Sequence, residues 1–286
     1  MPAVPETSTP ESRIVESLAA EPLAATFRTQ RRADERIELL GAAMDLVRPE
    51  EVLHFIAGRV AARAKAVVAN HNLHSLYLIR RSPEMRALYA RAAIIEVDST
   101  PLLAWARIVH GRGKAFHRCT YLDWRELFWS RAQSEGWRVY YLGGAPGVVE
   151  AASDSLKGRW PHLSLDGRNG YFTREEAPAV VAEIAVFRPD VLFVGMGMPL
   201  QEAWIERNYE ALPPCVILPV GAAFDYEAGV QTPAPRWMGR MGLEWLFRLV
   251  RDPRRLFVRY CVEPWSLVGP ALADLKSRAS RRAARD

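Results

Sequence analysis

Asp98 closes the apolar run AIIEVD and is followed at once by Ser99, Thr100 and Pro101, so a carboxylate stands where a strand gives way to a helix. Two uses fit that position: partial burial raises its pKa toward the range of a general base, or the carboxylate accepts free N–H groups at the helix start. The segment GMGMPLQEAW, residues 195–204, combines glycines that admit a ligand close to the backbone with a helix N-terminus that favours an anion. In its plainer reading Gly195 and Gly197 serve tight packing and Glu202 complements the helix dipole. Arg248, Arg251, Arg255 and Arg259 recur at spacings of three and four, which aligns them along one side of a helix, with Pro253 breaking the run. They lie among Trp245, Phe247, Phe257 and Tyr260, and that mixture suits a nucleic-acid backbone, an anionic membrane surface or the phosphates of a substrate.

Weaker signals surround these. HNLH places His71 and His74 three apart without a third metal ligand at sensible spacing, and no Asp-x-Asp pair occurs in the chain. Neither a metal nor another cofactor is expected. LGGAPG, residues 142–147, is a glycine-rich turn out of register with GxGxxG, and no GKS or GKT is present, so nucleotide binding of the classical kinds is disfavoured. Cys119, Cys215 and Cys261 are far apart and read as ordinary thiols.

The elements that must position these residues alternate. AKAVVANHN, AIIEVDS, WRVYYLGG, DVLFVGMG and CVILPVGAAF read as strands, and all but the last are followed by a helical stretch. That alternation predicts an α/β fold, a Rossmann-like parallel sheet with flanking helices, plus a basic amphipathic helical appendage at the C-terminus. Thr100-Pro101, Ala145-Pro146 and Met198-Pro199 are expected to place a proline just inside a helix. Ligands of open parallel sheets sit beyond the carboxyl ends of the strands. There the sequence places Asn70 and Asn72, Asp98 and Ser99, Gly143 and Gly144, Gly195 and Gly197 with Gln201 and Glu202, and Gly221 with Asp225.

Charge separates the regions. The chain of 286 residues carries a net +5, but residues 231–286 hold twelve Lys or Arg against five Asp or Glu, leaving the first 230 at −2. The expected organisation is a mobile leader over residues 1–30, an α/β domain over 31–230 and the basic appendage over 231–286. The opening residues lack a secretory signal pattern, and no apolar run approaches the ~20 residues of a membrane span, so a cytoplasmic protein is expected.

Taken in order, VGMGMPLQEAWI, VGAAFDYEAG, APRWM and GLEWLFRLVRDPRR resemble the WecG/TagA/CpsF family of bacterial glycosyltransferases, over about residues 37–260. The resemblance implies transfer of a hexose or N-acetylhexosamine from a UDP-sugar to a polyprenyl-diphosphate-linked saccharide, in surface or exopolysaccharide assembly. It implies inversion at the anomeric carbon, no bound metal, and peripheral association with the inner face of the cell membrane. It puts the catalytic aspartate on Asp98, the Gln-Glu pair on Gln201 and Glu202, and the tail arginines on Arg248, Arg254 and Arg255. Asn70-His71-Asn72, Asp98-Ser99 and Tyr121 depart from the family's usual Thr-x-Asn, Asp-Gly and glycine, which leaves the sugar open. A homo-oligomer is allowed. The competing reading, a nucleic-acid-binding α/β protein with a basic tail, leaves Asp98 and the GMGMPLQE loop without a role; a nicotinamide-dependent dehydrogenase lacks its fingerprint.

Overall fold

The computed structural model describes residues 30–284 except 236, 239 and 240, so the leader expected over 1–30 lies, but for Gln30, outside the described residues. The described chain begins with a hairpin that was not evident from the pattern. Strands β1 (Arg36–Leu39) and β2 (Ala42–Asp45) turn on Leu40 and Gly41, both at positive φ (54° and 73°), the two-residue geometry that matches strand twist. Asp45 fastens the hairpin: it receives Arg36 Nε at 2.8 Å and Nη2 at 2.7 Å on its two oxygens, and the Ile95 amide at 2.8 Å.

Six parallel strands form the sheet: β3 (Ala66–His71), β4 (Ile94–Val97), β5 (Arg138–Gly143), β6 (Ser164–Arg168), β7 (Val191–Gly195) and β8 (Val216–Pro219), in the order β4-β3-β8-β7-β5-β6. All five positions of β7 are buried, as expected of a strand covered on both faces. Its side chains alternate: Leu192 and Val194 enter one core with Tyr140 and Leu142, Val191 and Phe193 the other with Val139 and Tyr141. Each fully buried side chain of this size contributes about 1.5–3 kcal/mol. Strand β6 escaped the sequence pattern because it is an edge strand in which only Leu165 is buried.

The helices of the two layers are α1 (Pro49–Ala61), α2 (Leu73–Leu78), α3 (Pro83–Arg91), α4 (Thr100–His110), α5 (Tyr121–Ser134), α6 (Val148–Arg159), α7 (Ala177–Phe187), α8 (Leu200–Asn208) and α9 (Ala223–Glu227). The proline expectation holds for Pro101 alone. Pro199 is the N-cap residue of α8 after a cis peptide bond, and Pro146 lies before α6, whose N-cap Gly147 takes φ 87°. The stretch after β3 is also two helices, because Ser82 caps a new start at Pro83.

The appendage runs through α10 (Glu244–Arg251), α11 (Pro253–Phe257), a π turn, a 3-10 turn and α12 (Val268–Ala283). The break before Pro253 falls at Asp252, whose carboxylate accepts the Arg255 amide at 3.3 Å. Only Leu256 and Leu267 of these elements are buried. Polar ties hold the rest: Asp274 Oδ2 accepts from Trp105 Nε1 and from the Leu40 amide, both at 2.9 Å, and Arg80 Nη1 donates to Ser266 O at 3.0 Å. Val262, Trp265 and Leu272 stay 52%, 75% and 55% exposed. Among the described residues no helix is long and apolar enough to cross a membrane.

Candidate active site

A cavity of about 810 Å³ opens over the carboxyl ends of β4, β3, β8 and β7 and is closed on its far side by the appendage. Asp98 lines it where β4 ends, and its amide is held by His71 O at 2.9 Å. Its carboxylate has no hydrogen-bond partner among the described residues, so the capping alternative is not what the structure shows. Burial pushes Asp98 up to about 7, Glu244 adds to the rise, and Arg118 and Arg248 oppose it. A carboxylate poised near neutrality and facing open space is what proton abstraction requires.

Asn70, Asn72, Gly197, Gln201, Gly221, Arg248 and Arg255 also line this cavity, and Ser99 lines a smaller one that shares Asp98. The asparagines are partly committed to the scaffold: Asn70 Nδ2 donates to Pro219 O at 3.0 Å, and Asn72 Oδ1 caps α2 through the Ser75 amide at 3.0 Å. Gln201 explains the glycine loop differently from a phosphate cradle. Its Oε1 accepts the amides of Gly197 at 3.1 Å and Gly221 at 3.2 Å, so the groups that would have met a phosphate are taken by the chain itself. Arg248, Arg251, Arg255 and Arg259 all line the cavity, although the break at Asp252 divides them among α10, α11 and the π turn instead of one continuous helix face.

Six of the expected site residues, Gly195 among them, stand away from the cavity wall. Gly143 and Gly144 belong to β5 and its turn, two strands from β8. A Cβ on Gly143 would lie 2.3 Å from Gly195 O, and the Gly144 amide donates to that same carbonyl at 3.1 Å, so these glycines serve close approach. Glu202 is fully buried behind Gln201, whose Nε2 donates to it at 2.8 Å, and burial raises it to about 7. Asp225 is half-buried on α9 beside Tyr141, and Arg254 is exposed on α11. Of the HNLH histidines, His71 is buried against Ser75 and Tyr89 and burial lowers it to about 3, while His74 Nδ1 meets Glu263 of the appendage at 2.5 Å.

Other residues enter that the pattern did not single out. Glu96 lines the cavity two positions before Asp98, therefore on the same face of β4; Cys119 Sγ donates to it at 3.0 Å and burial pushes it up to about 8. A charged residue inside an apolar strand run, in step with Asp98, was its visible signal. Arg118 had none, because a lone bridge between Val97 and Arg118 brings it back beside β4. It donates to Glu244 at 2.7 Å, and Glu244 also receives Arg248. Tyr121 lines the cavity, but its hydroxyl is fixed between Glu227 Oε1 at 2.9 Å and Trp129 Nε1 at 2.8 Å.

The model of the glycosyl transferase WecG/TagA/CpsF family matches residues 37–281. The chain belongs to that family. As a WecG/TagA/CpsF protein it is a glycosyltransferase, as the motifs implied, and it carries the expected Rossmann-like sheet. It is similar to the N-acetylglucosaminyldiphosphoundecaprenol N-acetyl-beta-D-mannosaminyltransferases of Staphylococcus aureus strains MW2 and NCTC 8325. Each is 28% identical over 202 residues, covering 67% of this chain and 78% of the relative.

Proposed function

We propose that this glycosyltransferase moves a hexose or N-acetylhexosamine from a UDP-sugar to a polyprenyl-diphosphate-linked saccharide, with inversion and without a bound metal, at the inner face of the cell membrane. The observation that carries the reading is the placement of an unpartnered Asp98 in the same cavity as four arginines of the appendage. The relatives' printed names, which specify a sugar on diphosphoundecaprenol as acceptor and N-acetylmannosamine as the moved sugar, support the acceptor class.

In this mechanism Asp98 takes the proton of the acceptor hydroxyl as its oxygen forms the bond to the anomeric carbon. The bond from that carbon to the donor diphosphate oxygen breaks, and its electron pair leaves with UDP. Arg248, Arg251, Arg255 and Arg259 balance the charge that grows on the departing diphosphate. Arg259 suits this: it is largely buried, its Nε has no partner, and burial lowers its pKa, so an anion in the cavity relieves an unsatisfied cation. The exposed Val262, Trp265 and Leu272 beside basic residues support docking of the appendage on an anionic lipid surface. Nucleic acid is the weaker reading, because these four arginines converge on a cavity instead of forming an outward stripe.

The test is UDP release from a panel of UDP- and GDP-sugars by purified protein with detergent-solubilised polyprenyl diphosphate sugars. Acceptor-dependent release from one donor supports the reading and names the sugar; silence of the folded protein across the panel overturns it.

A further inference from the structure

A second cavity of about 800 Å³ lies at α4's N-terminal half, and the small one of about 310 Å³, which Asp98 lines, adjoins it. Thr100 and Arg118 line both the second and the small cavity; Asp98, Arg248 and Arg259 line both the small and the main one. Asp98 therefore borders the main and small cavities, and the small one abuts the second across Thr100 and Arg118.

We infer that the second cavity holds the diphosphate and first isoprene units of the acceptor. The inference rests on the proposed transferase reading. Such a reaction brings two diphosphates to one base, one leaving with the nucleotide and one remaining on the lipid, so it needs two anion sites on opposite sides of the reacting oxygen. The appendage arginines supply one. Arg48, Arg107 and Arg118 line the second cavity. Arg118 is already paired with Glu244 and lies 3.8 Å from Asp123, and Arg48 makes only a 3.6 Å contact with Glu51, whereas the Arg107 side chain meets no partner among the described residues. Glu50 and Asp123 also line this cavity, and the net charge of its lining remains positive. Apart from Thr100 the rest of the wall is apolar, with Leu103 buried and Phe116 51% exposed. A site that joins guanidinium groups to an apolar wall matches an anionic head carried on a hydrocarbon chain, and matches a free nucleotide poorly.

The experiment compares steady-state kinetics of the full-length protein with those of Arg107→Gln and of the Arg48→Gln/Arg107→Gln double variant, both surface changes that leave the core untouched. The acceptor KM is expected to rise about tenfold or more, equivalent to at least about 1.4 kcal/mol, with the donor KM unchanged. Farnesyl diphosphate, which carries no sugar, is expected to compete with the acceptor but not with the donor, and to lose that inhibition in the double variant. An unchanged acceptor KM in an active enzyme, equal losses toward both substrates, or competition of farnesyl diphosphate with the donor overturns this assignment alone. Absence of transfer by the wild type with every acceptor overturns the transferase reading, and the assignment with it.

Discussion

Glu244 Oε2 accepts a hydrogen bond from Arg118 Nη2 at 2.7 Å, tying the appendage to the loop that returns beside β4. Glu244 is also the charge that most raises Asp98 after burial itself. Glu244→Gln removes that negative charge while keeping an acceptor for Arg118. The acidic limb of the pH–rate profile is expected to move to lower pH, read from kcat/KM against pH; a limb that stays in place separates Glu244 from the base.

Asp98→Asn is expected to lower kcat by about 10²–10⁴-fold, the usual range for a lost general base. UDP-sugar affinity, measured by calorimetry, should stay close to that of the wild type because the arginines remain. In the wild type the base must be ionised, so activity should rise with pH through about 7. Loss of donor binding together with activity would contradict the role assigned to Asp98.

Glu96 predicts a stability effect whose sign is fixed. Burial raises the folded-state pKa to about 8 from the ordinary glutamate value of 4.5, so between those values the native state holds a proton that the unfolded chain has released. Stability contributed by this group therefore falls as pH rises across that window. Glu96→Gln keeps the shape without the titration, and its melting temperature should exceed that of the wild type at pH 8 and above while matching it near pH 5.

Gln201→Ala strips the shared acceptor from the Gly197 and Gly221 amides. A loss of about 1 kcal/mol in denaturant unfolding is expected, the cost of leaving partly buried donors unmet. Donor KM should rise with it, because both loops border the main cavity.

Truncation after Gly229 removes few buried residues, Leu256 and Leu267 among them, together with Arg248, Arg251, Arg255 and Arg259. The remaining core should fold, by circular dichroism, yet retain almost no transferase activity. In the full chain, Trp265→Ser should weaken sedimentation with vesicles rich in anionic lipid without changing the melting temperature, since Trp265 is 75% exposed. Full activity of the truncated core would remove the arginines from the mechanism.

The sequence by itself determined the class of fold, the family and the position of Asp98 at the end of a strand. Those properties are periodic or local: strands covered on both faces write themselves as apolar runs such as DVLFVGMG, and a residue at a strand end is placed by the strand. Strand order was not local, and it decided which glycines meet the cavity. Because β5 lies beyond β7, Gly143 and Gly144 serve packing against Gly195, whereas Gly197 and Gly221 border the site. Tertiary structure also decided that Gln201 occupies both of those amides, that Glu202 is buried behind it, and that Arg118 returns to Asp98 through a single bridge at Val97. Each of these depends on contacts between segments distant in the chain, which no spacing records.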